Sequence, residues 1–476
     1  MQRVKTSMIL ISSVFILPAV VSQGLFLKWN VSSAEGWITG PRVIDLNLDQ
    51  IDEIIAIESG EPPVLKCIGA DGRLSWQAVL DGSAGVGVAV GDLDGDSKLE
   101  VVAASSHPLG SALFAFKANG KPMWKLDLEG LCTSAPLVVD LDWDGFDEVL
   151  VVDEGRGLHA VDGRTGSIIW TAEKRLPGWN FISVADVQRN GKLEVIWLQN
   201  KTGSIWFIDA NGKETRKLNR TGDRSYFGWP MIGDIDADGY LELVVCTAEG
   251  VVCIDPLRLS TRWTADVPSR YAGALADVDM DGCLETLVPG NGKVTVLDVR
   301  GNTKYESIVG TEGWVGSVVV GDVDGDGIQE AVFSPHGTQI LYVMDARSGN
   351  LESSFSSFLG GISEGRNPPA IADGDWDGAV EVYFGMVGAA SAPLYALTSQ
   401  ERGASRLDWP QLFHDSRGTS NYETPMRSIP DPTQISAGCL AIILLLDRYR
   451  PQQLRHRTGA SFLRANQLGP SSGEQI

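Results

Sequence analysis

GDVDGDGIQE, residues 321–330, places aspartates at Asp322, Asp324 and Asp326, a glycine at Gly327 and a glutamate at Glu330. Carboxylates at alternate positions bring three oxygens round one hard cation, and glycine permits the sharp turn that follows. The flanks, SVVV before and AVFS after, are apolar and rich in β-branched residues, so the loop joins strands rather than helices. The same spacing opens at Asp45, Asp92, Asp140, Asp186, Asp234, Asp277, Asp322 and Asp373, with successive starts 43 to 51 residues apart. A period held that tightly marks a repeat array that forms one body.

Positions 1, 3, 5 and 9 of each loop, with a backbone carbonyl near position 7, offer the oxygen-only shell that Ca²⁺ prefers. The expected ligands of the first three loops are Asp45, Asn47, Asp49 and Glu53; Asp92, Asp94, Asp96 and Glu100; and Asp140, Asp142, Asp144 and Glu148. The fifth and sixth loops supply Asp234, Asp236, Asp238 and Glu242, then Asp277, Asp279, Asp281 and Glu285. The last two supply Asp322, Asp324, Asp326 and Glu330, then Asp373, Asp375, Asp377 and Glu381. The fourth loop retains only Asp186, Asn190 and Glu194 and stands apart. Seven loops are therefore expected to hold Ca²⁺, in a structural role, with the fourth in doubt.

The formal charge of −22 is a property of these loops. Their ligand positions hold 29 of the 61 acidic residues, so 32 acids face 39 Lys and Arg elsewhere. The acidity says nothing about a partner, and no nucleic-acid partner is expected. Cys67 and Cys253 fall at small-residue positions of a third strand, which reads as buried packing. Cys246 and Cys253 flank a hairpin, where a cross-strand disulfide is the lesser alternative.

Residues 1–24 read as a signal peptide or signal anchor, with Arg3 and Lys5 ahead of MILISSVFILPAVV. Either leaves the repeats outside the cytoplasm, extracellular or at the cell surface. Residues 25–410 form the repeat body and 411–434 a tail and linker. Residues 435–476 hold a short apolar segment, ISAGCLAIILLL, a basic stretch and a disordered end. Twelve residues make a helix of about 18 Å, short of a hydrocarbon core of about 30 Å. Membrane attachment through either apolar segment remains an open alternative.

Residues 84–128 show one unit: strand AGVGVAV, the acid loop, strand LEVVAASS, strand and turn SALFAFKANG, and strand KPMWKLDL. Four short strands repeated radially make a propeller blade. The expected fold is therefore all-β, an eight-bladed β-propeller of four-stranded blades with the calcium loop between first and second strands. FLKWNVSS, 26–33, has no blade of its own. It is expected to complete the eighth and close the ring, removing an exposed edge. Fourth strands carry Trp76, Trp124, Trp170, Trp263, Tyr305 and Phe355, expected to pack between neighbouring blades.

The recurring D-x-[DN]-x-[DN]-G-x-x-[DE] loops resemble those of the FG-GAP/VCBS family of integrin-alpha-like propellers, over roughly residues 26–410. That resemblance implies calcium in the loop between first and second strands. Aromatic residues Trp37, Trp179, Phe227, Trp229, Tyr271 and Trp314 cluster where the chain enters the blades, on the face opposite the metal loops. They would suit a sugar ring or a protein partner, or would plug the channel mouth. Five scattered histidines and no hydrolase or phosphate-loop motif leave no catalytic set to name. The leading expectation is a monomeric, calcium-stabilised binding scaffold for protein or glycan, rather than an enzyme. A polysaccharide lyase of the eight-bladed rhamnogalacturonan lyase type is the second class. A quinone-dependent dehydrogenase or assembly-factor propeller is the third, suggested by VDGRTGSIIW, 161–170.

Overall fold

The computed structural model describes residues 25–415, apart from 34–35, 38, 108–109, 133, 175–177, 220–228, 311–312, 358–360, 366, 389–391, 400–405, 409 and 412–414. The expected leader at 1–24, the linker beyond 415 and the apolar segment at 435–446 lie outside the described residues. No helix among the described residues is long and apolar enough to cross a membrane.

Each repeat becomes one four-stranded antiparallel sheet, and eight such sheets form the propeller. In the first blade the strands are Arg42–Ile44, Glu53–Glu58, Val64–Gly69 and Leu74–Val79, running outward from the axis. The middle strands are buried on both faces because each sheet is covered by a neighbour on either side. The fourth strand alternates, as in Leu74–Val79, because its outer side meets water. The eighth sheet takes Ala370–Ala372, Glu381–Gly385 and Ala392–Thr398 from the end of the array. Its outer strand is Phe26–Ser33, paired antiparallel from Phe26 opposite Thr398 to Ser33 opposite Ala392. The ring closes as expected.

Neighbouring blades are pinned by the recurring fourth-strand ring. Each indole N–H donates to a carbonyl in the turn between third and fourth strands of the next blade. The pairs are Trp29 to Ala70 (2.6 Å), Trp76 to Ala118 (2.8 Å), Trp124 to Gly163 (2.6 Å), Trp170 to Ala210 (2.8 Å) and Trp263 to Val299 (2.8 Å). In the fourth blade Arg216 takes that place, giving Nη1 to the Pro256 carbonyl at 2.6 Å. Phe355, expected to continue the series, departs from it. Ser353 holds the equivalent register opposite Val343, and Phe355 lies two residues further on, edge-to-face with Tyr395 at 5.1 Å.

After the eighth blade the chain returns to the axis. The Arg406 carbonyl accepts from Asp322 N at 2.8 Å and the Pro410 carbonyl from Ile371 N at 2.8 Å. Asp408 accepts from Asp277 N at 3.0 Å, and the Gln411 amide exchanges two bonds with Val43. Residues 406–411, spanning the end of the expected repeat body and the start of the tail, are thus bound at the inner strands of blades six, seven, eight and one. The cysteines among the described residues are free. Register sets Cys253 opposite Val244 and Cys246 opposite Val251, so the cross-strand disulfide does not form.

Candidate metal centre

The acid loops fold around their own backbone. The position-1 carboxylate accepts two backbone N–H groups from across the turn: Asp234, for example, takes Asp238 N at 3.0 Å and Gly239 N at 2.8 Å. Asp140 does the same with Asp144 N and Gly145 N, both at 3.0 Å. Position 5 accepts from position 7, as Asp281 does from Cys283 N at 2.8 Å. The position-9 glutamate reaches back to the N–H of position 2. Glu53, Glu100 and Glu148 make this bond at 2.9 Å, Glu330 at 2.7 Å and Glu381 at 3.0 Å.

This wrapping forces position 4 into the left-handed region in every loop: Leu48, Gly95, Trp143, Arg189, Ala237, Met280, Gly325 and Trp376. Only two of these are glycine, so bulky side chains are held there by the surrounding bonds at some strain. They also link the loops. Trp143 Nε1 donates to the Gly191 carbonyl of the next loop at 2.9 Å, and Arg189 Nε to Gly239 at 3.0 Å. Backbone bonds Asp52 N to Gly374 O (2.8 Å) and Leu284 N to Ile235 O (2.9 Å) join further neighbours.

Carboxylate oxygens from Asp92, Asp94 and Asp96 lie within 4.8 Å of one another. So do those from Asp140, Asp142 and Glu148, from Asp234, Asp236 and Glu242, from Asp277, Asp279 and Glu285, and from Asp322, Asp324 and Glu330. In four loops the position-3 Oδ1, of Asp94, Asp236, Asp279 and Asp375, is buried with no hydrogen-bond partner. Buried polar atoms are ordinarily paired. An orphaned carboxylate oxygen inside an oxygen cluster is what a hard divalent cation would satisfy, so these residues fit Ca²⁺. Burial, reinforced by the neighbouring aspartates, raises the Glu148 carboxyl to about 7 and Glu330 to about 9. In the eighth loop burial lifts Asp373 to about 6 and Glu381 to about 7.

The fourth loop is built differently. Glu194 does not reach position 2; it accepts from Thr215 Oγ1 at 2.7 Å and from Arg216 Nη2 at 2.5 Å. With Gln188 at position 3 and Asn190 at position 5, two acids remain, and one of them is neutralised by the protein.

The motif did not announce the basic residues that meet these loops. Lys28 Nζ lies 2.8 Å from Asp375 and 2.7 Å from Glu381. Lys304 lies 2.5 Å from Asp279 and 3.0 Å from Glu285. Arg262 pairs with Asp236 at 2.5 Å and with Glu242, and Lys117 with Asp94 and with Glu100. The available signal was a basic residue directly before the fourth-strand ring, as in Lys28-Trp29, Arg262-Trp263 and Lys304-Tyr305.

The opposite mouth assembles only part of the expected aromatic set. Trp179 is exposed, and Trp314 lies under the Arg270 guanidinium at 4.8 Å. Tyr271 faces His336 at 6.1 Å, and Trp229 packs edge-to-face on Phe181 at 4.9 Å. Trp37 offers no ring to a ligand. It is fully buried between the eighth and first blades, because the loop that carries it folds back to donate Trp37 N to Met386 O. Phe227 lies outside the described residues.

A family model described as outer membrane protein assembly factor BamB matches residues 63–280. BamB from Moraxella catarrhalis superposes with a TM-score of 0.56 at 14% identity, over 79% of this chain and 98% of its own. An exotype rhamnogalacturonan lyase, YesX, gives 0.52 at 18% identity, over 77% and 72%. The dihydro-heme d1 dehydrogenase NirN gives 0.52 at 15%, over 83% and 81%. At these identities the structural likeness shows the fold alone. None of the curated proteins matches the chain significantly in sequence. The resemblance to integrin-alpha-like FG-GAP/VCBS propellers is therefore corrected: the family model that matches is of the BamB type, and the stretch VDGRTGSIIW lies within it. The physical reason is that an acid spacing of this kind suits the coordination sphere of a hard cation, and any strand–loop–strand unit can adopt it. Such a motif reports a ligand better than it reports descent.

Proposed function

We propose that this propeller is a calcium-stabilised interaction scaffold working outside the cytoplasm, which engages a protein partner through the mouth opposite its metal loops. The observation that carries the calcium part is the set of buried, unpartnered Oδ1 atoms of Asp94, Asp236, Asp279 and Asp375. Loops of this type fill where calcium is abundant, which favours an exported protein. With calcium ten times above Kd, each filled site adds about 1.4 kcal/mol of stability.

A protein partner is supported by the family model, whose description is that of an assembly factor, and by the rings at the mouth, Trp179 exposed and Trp314 half-buried. Trp179 and the Arg270–Trp314 pair offer the amphipathic surface on which interface anchors are built. A glycan partner is the alternative that the same rings admit. Nothing in the site favours the lyase reading beyond the fold itself.

The test is calcium content per purified chain, with thermal melts before and after chelation. Several bound ions and a large loss of Tm on chelation support the reading. No bound ion and an unchanged Tm would end it. For the mouth, Trp179→Ala and Trp314→Ala should abolish capture of a partner identified by crosslinking while leaving the melt unchanged.

A further inference from the structure

The acid loops are not equivalent, and the difference comes from side chains outside the motif. Most fourth strands carry a bulge beside the docking ring, opposite the step from Cys253 to Ile254 or from Val296 to Leu297 of the third strand, for example. The bulged residue is Arg262 in the fifth blade, Lys304 in the sixth and Lys28 in the eighth. Each meets the carboxylates of positions 3 and 9 of its own blade's loop. In the second blade Lys117, just beyond the third strand, does the same. In the third blade the bulged residue is Ile169, which is exposed. The nearest guanidinium there, Arg164, lies over the Phe146 ring at 4.0 Å and pairs with Asp162 at 2.9 Å instead.

The third loop nonetheless keeps all four acids. Glu148 is only 8% exposed, its Oε2 takes Leu141 N at 2.9 Å, and no donor among the described residues reaches its Oε1. That oxygen joins those of Asp140 and Asp142 within 4.8 Å. Arg164 acts on Glu148 and Asp144 only through space, without a contact, and a buried carboxylate without a close counter-charge is costly unless an ion supplies one.

We infer, building on the calcium reading above, that the loops fall into two classes. Those of blades two, five, six and eight carry a resident cation that lowers their calcium affinity, and the third-blade loop, which carries none, binds more tightly than they do. Affinity in oxygen-ligand sites follows the ligand charge count. A resident ammonium or guanidinium removes one charge from the four carboxylates. The ladder lets the protein keep calcium in loops without a resident cation when calcium falls and fill the others as it rises.

Two loops carry a tryptophan at position 4, Trp143 in the third and Trp376 in the eighth, so terbium can be read at each separately. The emission lost on Trp143→Phe reports the third loop, and that lost on Trp376→Phe reports the eighth. The third loop should half-saturate at terbium concentrations at least tenfold lower than the eighth. Lys28→Met in the Trp143→Phe background should tighten the eighth loop about tenfold, and Lys28→Arg should leave it unchanged. Should Lys28→Met fail to fold, Lys304→Met examined by calcium equilibrium dialysis should retain one more ion than wild type at limiting calcium. Equal half-saturation of the two loops, or weaker binding after removal of the lysine, would overturn the inference while leaving the calcium reading intact. Absence of both terbium emission and retained calcium would remove both.

Discussion

Trp124 and Gly166 form a single joint between the second and third blades. The indole lies so close that a Cβ on Gly166 would stand 2.7 Å from its ring, and Gly166 itself has φ +71°. The same indole donates its N–H to the Gly163 carbonyl, three residues earlier in the turn. Trp76 on Gly120, Trp170 on Gly212 and Trp263 on Gly301 repeat the joint, each with a Cβ-to-ring approach under 3 Å. Ring and glycine are thus two halves of one contact, written in different blades.

Gly166→Ala is expected to cost about 1–3 kcal/mol by overpacking and left-handed strain. Trp124→Phe, which keeps the packing and loses the hydrogen bond, should cost about 1 kcal/mol. Trp124→Ala should cost about 3–5 kcal/mol. Urea denaturation orders the three, and an unchanged midpoint for Gly166→Ala would show that the joint is slack.

Arg216→Ala should destabilise by about 3–5 kcal/mol, because it strands Glu194 in a buried position without its counter-charge. Glu194 is 3% exposed. Since this cation is covalent, the loss should be the same with calcium and with chelator. A loss seen only in one of the two conditions would mean that the fourth loop also binds metal.

Asp142→Asn or Glu148→Gln should remove one calcium per chain. The stability gained on adding calcium should shrink by about 1.4 kcal/mol at ten times Kd. Both variants should melt within a few degrees of wild type once calcium is chelated. Calcium counted by equilibrium dialysis beside paired melts checks both parts.

The metal-free protein should lose stability as pH rises. Glu148, Glu242 and Glu381 are each raised to about 7 and Glu330 to about 9, chiefly by burial. Between about pH 4.5 and these values the folded chain holds protons that the unfolded chain has released. The slope of stability with pH is therefore negative over that window. Chelated protein should show a lower Tm at pH 8.5 than at pH 6, and calcium should abolish the decline. A flat chelated profile would mean that these carboxyls are already ionised in the metal-free fold.

Much of the architecture was legible because its signals are local. Nine residues contain a whole acid loop, so the spacing from Asp322 to Glu330 dictates the turn. The period counts the blades, and FLKWNVSS declares itself as a strand without a blade. The docking rings were visible as recurrence, apart from Phe355, whose register slipped by two residues because the seventh blade places Ser353 where six other blades place a ring and the fourth places Arg216.

What the tertiary structure decided was non-local. Lys28 meets Glu381 across most of the chain, because ring closure seats Phe26–Ser33 beside Ala392–Thr398 and the bulge between Leu27 and Trp29 marks where Lys28 leaves the register. Trp37 reads as a rim residue in the linear sequence, yet stacking of the eighth blade on the first buries it. The sequence by itself determined the repeat and the loops, since each depends on residues a few positions apart, and it pointed to the closure through a strand left without a blade. Which loops own a counter-charge and which rings face solvent depends on neighbours that only sheet pairing and blade packing bring together.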